Sequence, residues 1–146
     1  MNLKEDLQKE LKEAMRSGDQ IRKDTIRMTL SNIKLIEVDK GPLDEIALTG
    51  ILQKEIKLRR EAIEDAKKAD RSDLIASNEA EIQVLETFLP KQLSNDDLAK
   101  MVESVITDLG ATSLKEMGAV MKVLVSQVAG RAPNAAISAM VRERLS

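Results

Sequence analysis

Residues 113–134, SLKEMGAVMKVLVSQVAGRAPN, contain a helix start, a complete apolar stripe, a helix end and the start of another helix. Ser113 and Glu116 have the spacing of a capping box, in which each side chain bonds the backbone near the other residue. Apolar residues then recur at alternating spacings of three and four, which places them on one helical face. Gly130 ends this helix, and Pro133 suits the beginning of the next one. The stripe consists of Leu114, Met117, Met121, Leu124 and Val128.

The same punctuation divides the rest of the chain. Breaks at Gly18, Gly41-Pro42, Leu89-Pro90 and Gly110 separate segments with a helical period, and no segment alternates as a strand would. We therefore predict an all-α protein. An N-terminal helical bundle is expected over residues 1–92, and a smaller C-terminal three-helix domain over residues 93–146.

Within the predicted bundle, the third helix is expected from about Leu43 to Ala69, and Ser72 is a plausible N-cap of the fourth. The second helix has two apolar stripes. Apolar residues on two sides of a helix predict that it lies between two packed neighbours. One stripe is Ile26, Leu30 and Ile33, and the other is Ile21, Met28 and Leu35.

Composition limits the chemistry. The 146 residues include no His, Cys, Trp or Tyr, and Phe88 is the single aromatic residue, so the sequence contains no thiol nucleophile, thiolate metal site or stacking platform for bases. With 23 basic and 25 acidic residues the net charge is −2, whereas dedicated nucleic-acid binders usually have a basic bias. Any contact with phosphate would therefore need a local patch.

The location of the protein is predicted from its ends and its apolar runs. The N-terminus, MNLKED, alternates charges with single apolar residues and does not resemble a signal or transit peptide. No apolar run approaches the roughly 18 residues of a membrane span. These features predict a cytoplasmic protein with no membrane partner, and the lack of a basic bias predicts no DNA partner.

Two sets of charged residues are candidates for chemistry. The cluster over residues 54–61, KEIKLRRE, could contact phosphates, or it could be a solvated helix face joined by pairs such as Lys57–Glu61. Within it, Glu55 and Arg59 lie on the apolar side and could form a partly buried pair. Glu37 continues an apolar stripe of the second helix. It could act as a general base with a raised pKa, or be a boundary residue paired with a nearby cation.

The C-terminal region contains the most specific candidates. Gly118 lies inside a helix, where glycine costs about 1 kcal/mol relative to alanine, and this predicts a close backbone approach by another helix or by a ligand. The turn at residues 129–134 could bind an anion at a helix N-terminus, or be a tight interhelical turn with a solvated Arg131. The cations and the turn together form a candidate RNA-binding set. It comprises Lys115, Lys122, Gly130, Arg131, Arg142 and Arg144.

Recognised catalytic patterns are missing from the sequence. There is no phosphate-binding glycine loop, metal-ligand pair or nucleophile signature, so we name no catalytic residue, no metal ligand and no cofactor. This absence favours a binding protein over an enzyme.

Several ordered motifs resemble the YqeY family. They include residues 22–28 (RKDTIRM), residues 52–57 (LQKEIK), residues 88–94 (FLPKQLS), residues 117–121 (MGAVM) and residues 130–132 (GRA). The similarity covers the whole chain. Where the family usually continues Gly-Arg-Ala-Asp-Gly, this chain has Pro133-Asn134, which puts in doubt any contact through the aspartate or the bare glycine backbone.

The resemblance implies a helical bundle followed by a small three-helix domain. That domain is related to the tail of the B subunit of the glutamine-dependent aminoacyl-tRNA amidotransferase, where it helps to hold tRNA. Family members are described with carbon–nitrogen ligase activity using glutamine as amide donor, a label that the shared tail would explain. We therefore expect a non-catalytic tRNA-associated binding module. The alternative is a protein–protein adaptor that docks on an aminoacyl-tRNA synthetase or amidotransferase through exposed helix faces.

Overall fold

The computed structural model describes residues 2–146, and within this range every regular element is a helix. The prediction of an all-α fold is therefore confirmed. The chain divides into two compact units, one ending at Leu89 and the other spanning Pro90–Ser146.

The N-terminal unit contains four helices, and most of them begin where a polar side chain caps the free backbone N–H groups. Asn2, Asp19 and Asp44 accept hydrogen bonds from backbone N–H groups three residues on, at 2.7, 3.2 and 2.8 Å. Gly18, with φ 79°, ends the first helix in the left-handed conformation that glycine adopts most easily. The helices are α1 (Leu3–Ser17), α2 (Gln20–Lys40), α3 (Glu45–Lys68) and α4 (Ser72–Glu86).

The core of the N-terminal unit is aliphatic. The pair α3 and α4 and the pair α1 and α2 make the most extensive contacts, and α2 also packs on α4. Phe88 is only partly buried and packs at the edge of the core, with the Arg22 guanidinium 5.5 Å from its ring centre. The buried core residues are Leu3, Leu7, Ile26, Ile33, Leu48, Leu52, Ile56, Ile63, Ile82, Val84 and Leu85.

Two details of this unit differ from the sequence prediction. Ser72 is the first residue of α4 and does not cap it, because the N-cap position falls on Arg71, which makes no side-chain cap bond. The second apolar stripe of α2 is not packed between neighbours: Ile21, Met28 and Leu35 are 52%, 57% and 72% exposed. The α2 helix is covered on one side only.

The C-terminal unit has three α-helices and one short 3₁₀ helix. Ser94 caps α5 by accepting a hydrogen bond from the Asp97 N–H at 3.1 Å. The capping box of Ser113 and Glu116 is present, but it opens the 3₁₀ helix Leu114–Glu116, and α6 begins only at Met117. The α-helices are α5 (Asn95–Leu109), α6 (Met117–Val128) and α7 (Asn134–Leu145).

The three α-helices of the C-terminal unit contact one another around a second aliphatic core. A β-carbon added at Gly118 would meet no atom of a neighbouring helix within 4 Å, so the predicted close approach of another helix to this glycine is wrong. Ala132 belongs to the core and anchors the turn between α6 and α7. The other members are Leu98, Val102, Val105, Val120, Leu124, Val128, Ile137, Val141 and Leu145.

Candidate nucleic-acid interface

The α6–α7 turn is built on two consecutive left-handed residues. Ala129 has φ 50° and Gly130 has φ 79°, and the Arg131 N–H then donates to the Val128 carbonyl at 3.0 Å. A left-handed conformation costs a residue with a β-carbon roughly 1–2 kcal/mol, whereas glycine adopts it freely. Contacts around the turn must therefore stabilise the conformation of Ala129.

Arg131 and Gly130 supply those contacts by binding the segment that leads into α5. The Arg131 Nε donates to the Lys91 carbonyl at 3.0 Å, and the Arg131 carbonyl accepts from the Leu93 N–H at 2.8 Å. The Gln92 side-chain amide donates to the Gly130 carbonyl at 3.1 Å. Arg131 is half-buried, and the hydrogen bond from its Nε holds the turn against the segment before α5.

The N-terminus of α7 follows this turn without a side-chain cap. Pro133 occupies the N-cap position and offers no side-chain acceptor, unlike Ser94 at the start of α5. The Pro133 carbonyl accepts from the N–H groups of Ala136 and Ile137 at 3.0 and 3.1 Å. The preceding first-turn amides, of Asn134 and Ala135, belong to exposed residues.

Lys115 and Lys122 lie before and within α6, and both are exposed. Lys122 projects from the side opposite to the buried residues Val120 and Leu124, because 100° separates successive residues of a helix. Neither lysine belongs to any ion pair in the described part of the chain.

The two arginines of α7 point in different directions. Residues two apart on a helix do not share a face. Arg144 turns toward α5, where its Nε lies 3.4 Å from a Glu103 carboxylate oxygen. Arg142 is exposed and makes no ion pair within residues 2–146. The candidate set therefore divides into the unpaired cations Lys115, Lys122 and Arg142, the structural pair Gly130 and Arg131, and the paired Arg144.

The charged candidates of the N-terminal unit have structural partners. The Glu37 carboxylate lies 2.7 Å from the Lys4 Nζ and accepts from the Leu43 N–H at 3.3 Å. The Lys4 hydrogen bond holds the pKa of Glu37 below its ordinary value, whereas a general base at neutral pH would need a raised one. Of the two roles considered for Glu37, the structure therefore supports the boundary residue paired with a cation and not the general base.

The cluster at residues 54–61 makes different pairs from those predicted. The Arg60 guanidinium lies 3.3 Å from Glu86 of α4, and Lys57 forms no ion pair within residues 2–146. The Arg59 guanidinium donates to the Glu55 backbone carbonyl at 3.2 Å and lies 3.9 Å from Glu81. The expected ion pair of Glu55 with Arg59 is therefore replaced by cross-helix contacts.

Glu55 is the centre of a polar contact between α2 and α3 that the sequence pattern did not identify. Its carboxylate accepts a hydrogen bond from the Thr29 hydroxyl at 3.0 Å, and Thr29 is fully buried. Burial raises the pKa of Glu55, while bonds from Thr29 and Asn32 and the charge of Arg59 oppose that rise. The sequence feature that could have identified this contact is a threonine, Thr29, on the buried face of α2.

Residues 2–146 contain neither a metal-binding group of acidic residues nor a membrane-spanning helix. No group of three or more acidic residues is arranged to hold a metal ion. No helix in the same range combines the length and the apolar character needed to cross a membrane.

Comparison with known proteins gives the family and several relatives. The model of the family described as Yqey-like protein matches residues 4–145. "Altered inheritance of mitochondria protein 41, mitochondrial" of Lachancea thermotolerans is 38% identical over 107 residues, which are 70% of this chain and 57% of that protein. The protein of the same name from Eremothecium gossypii is 34% identical over 110 residues, 73% of this chain and 60% of its own length.

A third relative is covered more completely. An uncharacterized protein of Schizosaccharomyces pombe is 35% identical over 95 residues, which are 64% of this chain and 77% of that protein. In contrast, the chain covers less than two thirds of the Lachancea and Eremothecium proteins.

These names correct one prediction and the family match confirms another. The relatives from Lachancea, Vanderwaltozyma and Eremothecium are all named as mitochondrial, which contradicts the predicted cytoplasmic location. The family model extends over both units, from residue 4 to residue 145, and the chain belongs to the Yqey-like protein family.

Proposed function

We propose that this protein is a non-catalytic module that binds tRNA through its C-terminal unit. The observation that carries the proposal is the distribution of charge. From Met117 to Arg142 the chain contains no Asp or Glu and three cations, Lys122, Arg131 and Arg142. Four of the acidic residues of the unit lie instead on α5, which has one lysine. Residues 117–142 are therefore cationic although the whole chain is not.

This local charge suits a phosphate backbone. Protein–RNA affinity depends largely on Lys and Arg neutralising phosphates, and it does not need a basic protein overall. The uncapped α7 N-terminus adds exposed backbone N–H groups beside Arg131, an arrangement that favours anions. The chain has one aromatic residue, Phe88, in the other unit, so recognition would follow the shape and backbone of the RNA, not base stacking.

The relation to tRNA-dependent amidation is part of the same proposal. It rests on the resemblance of the C-terminal unit to the tail of the amidotransferase B subunit. The module would hold tRNA for a partner, such as an amidotransferase component or an aminoacyl-tRNA synthetase, that performs the chemistry.

The first experiment is fluorescence anisotropy of labelled tRNA against the full chain at two salt concentrations, with duplex RNA of similar length as competitor. We expect binding that the duplex does not displace and that weakens as salt rises, because phosphate contacts release counterions. Absence of binding at low salt would contradict the proposal.

Charge reversal tests the surface itself. Lys122→Glu combined with Arg142→Glu should weaken tRNA binding at least ~tenfold, because two attractive contacts become repulsive. The matched control is Lys57→Glu combined with Lys68→Glu on α3, which changes the net charge equally and also reverses exposed, unpaired lysines. Equal loss in both variants would indicate unspecific attraction. Arg131 is kept, because its contact with Lys91 would confound the result.

A further inference from the structure

The α2 helix presents an apolar surface to solvent in the N-terminal unit. Ile21, Met28, Leu35 and Val38 form this surface, the outer stripe, and are 52%, 57%, 72% and 80% exposed. The first three are spaced by seven residues. Each spacing of seven changes the angular position around the helix axis by only about 20°, so the three side chains lie on nearly the same side of α2. The stripe extends ~26 Å, from 17 residue steps of 1.5 Å each. Scattered exposed apolar residues are ordinary, but four on one side of a helix, here with Asp24 among them, mark an interaction surface.

One edge of the outer stripe is cationic. Arg27 and Lys34 are also seven residues apart, and Val38 extends the stripe toward them. Both cations are exposed, and no carboxylate in residues 2–146 pairs with either one. The Arg27 guanidinium lies 3.9 Å from the sulfur of Met15 on α1. This basic edge, Arg27 and Lys34, has no anionic partner of its own.

The opposite flank of α2 belongs to the bundle. Thr25 and Thr29 lie there and are 1% and 0% exposed. A partner can therefore approach α2 only from the outer side, where the outer stripe and the basic edge meet it together.

We propose that the outer stripe of α2 is the docking site for an amphipathic helix of another protein, about 18 residues long, with acidic residues along one edge. The apolar residues of that helix cover Met28, Leu35 and Val38, and its acidic edge pairs with Arg27 and Lys34. This geometry is the helix-on-helix packing of coiled coils, in which the flanking charges choose the partner.

A second copy of this chain is a poorer occupant in either orientation. A two-fold axis parallel to α2 would place Asp24, which lies within the stripe and bonds Gln20 at 2.9 Å, against the same aspartate. A two-fold axis perpendicular to α2 would place the basic edge against itself. Like charges opposed in an interface cost stability and therefore disfavour both pairings.

The test uses the full chain and two labelled synthetic peptides of about three heptads with Ile and Leu at the core positions. The acidic peptide has Glu at both flanking positions, and the basic peptide has Lys at the same positions. We expect fluorescence anisotropy to show the acidic peptide binding at least ~tenfold more tightly than the basic one, with the difference reduced by salt. The chain has a net charge of −2, so overall attraction favours the basic peptide and cannot explain that result.

Variants locate the binding. Leu35→Glu should weaken the acidic peptide at least ~tenfold, whereas Leu58→Glu, a similar change at a 53% exposed residue of α3, should not. Arg27→Glu combined with Lys34→Glu should reverse the preference between the peptides, and this variant leaves the apolar residues intact if Leu35→Glu impairs folding.

Four results would overturn the proposal: no binding of either peptide, equal binding of both, the same loss in Leu35→Glu and Leu58→Glu, or no change of preference on charge reversal. Sedimentation adds a fifth, since a concentration-dependent dimer that Leu35→Glu dissolves would assign the stripe to a second copy. Because the stripe is in the N-terminal unit, failure here leaves the tRNA proposal for the C-terminal unit unchanged.

Discussion

The two units differ in where their polar side chains make contacts. In the N-terminal unit Thr25 and Thr29 are buried among the aliphatic residues, and Thr29 reaches Glu55 across the helix contact. In the unit Pro90–Ser146, by contrast, the buried residues are all apolar. Its polar contacts lie at helix ends and turns, through residues such as Ser94, Glu116 and Arg131.

Because of this difference, each unit fixes the alignment of its helices in its own way. A buried polar contact is satisfied in one alignment only, so the bond from Thr29 to Glu55 favours a single register of α2 against α3. An apolar core tolerates small displacements, and therefore the C-terminal unit depends on its caps and on the turn at Ala129–Arg131.

The largest effect is expected from a cavity in the C-terminal core. Leu124→Ala at a fully buried site should cost about 2–5 kcal/mol of folding free energy, because transfer energy is lost and a cavity remains. A small three-helix core has little reserve, so we expect the C-terminal unit to unfold in this variant while the N-terminal unit stays folded. Hydrogen exchange by mass spectrometry should show lost protection in peptides from α5 to α7 only.

The control for this experiment is Leu52→Ala, in the separate core of the N-terminal unit. It should cost a similar amount but reduce protection in α1 to α4. If either substitution unfolded both units together, the two cores would be one cooperative system and the comparison would not hold.

An intermediate effect is expected from removing the buried polar contact. Thr29→Val keeps the shape of the side chain but deprives Glu55 of a donor, and it should cost about 1–3 kcal/mol. Urea denaturation followed by circular dichroism measures this loss. Thr107→Val, at an exposed threonine of α5, should stay within about 0.5 kcal/mol of the parent chain. Equal stability of Thr29→Val and the parent would show that the contact does not contribute to the N-terminal fold.

The parts that the sequence predicted correctly are those governed by local rules. The box of Ser113 and Glu116 and the helix ends at Gly18 and Gly110 each depend on residues close in the chain. Helical periodicity likewise identified the buried stripe of α2 that contains Ile26 and Ile33. Such features need no knowledge of the neighbouring helix.

The wrong predictions concerned what lies beside a helix. Periodicity shows that Ile21, Met28 and Leu35 share a face, but only the tertiary arrangement decides whether another helix covers it. The same holds for Gly118, which has open space where a close approach was expected. For the candidate site, sequence supplied the cations but not their directions, so it could not separate Arg142 from the paired Arg144.

The smallest expected effect is a difference in pH dependence between two carboxylates, one in each unit. Burial raises the pKa of Glu55 above its ordinary value of 4.5. Backbone N–H groups of Thr112 and Ser113 lower the pKa of Glu116 below the same value. The contribution of Glu55 to stability is therefore complete below pH 4.5 and is lost as the pH rises through its folded pKa. The contribution of Glu116 is complete above pH 4.5 and is lost as the pH falls through its folded pKa.

The substitutions Glu55→Gln and Glu116→Gln should consequently act in opposite directions. At neutral pH Glu55→Gln should protect α2 and α3 better than the parent chain, because it removes a partly buried charge while an amide oxygen can still accept from Thr29. Glu116→Gln should protect α6 less well at neutral pH, because the two backbone N–H groups lose a charged acceptor. Both differences should shrink in acid. Native-state hydrogen exchange, corrected for the intrinsic effect of pH, measures the two units in one sample. A loss of protection in Glu55→Gln at neutral pH would mean that the ionised carboxylate stabilises the N-terminal unit, contrary to the raised pKa of Glu55.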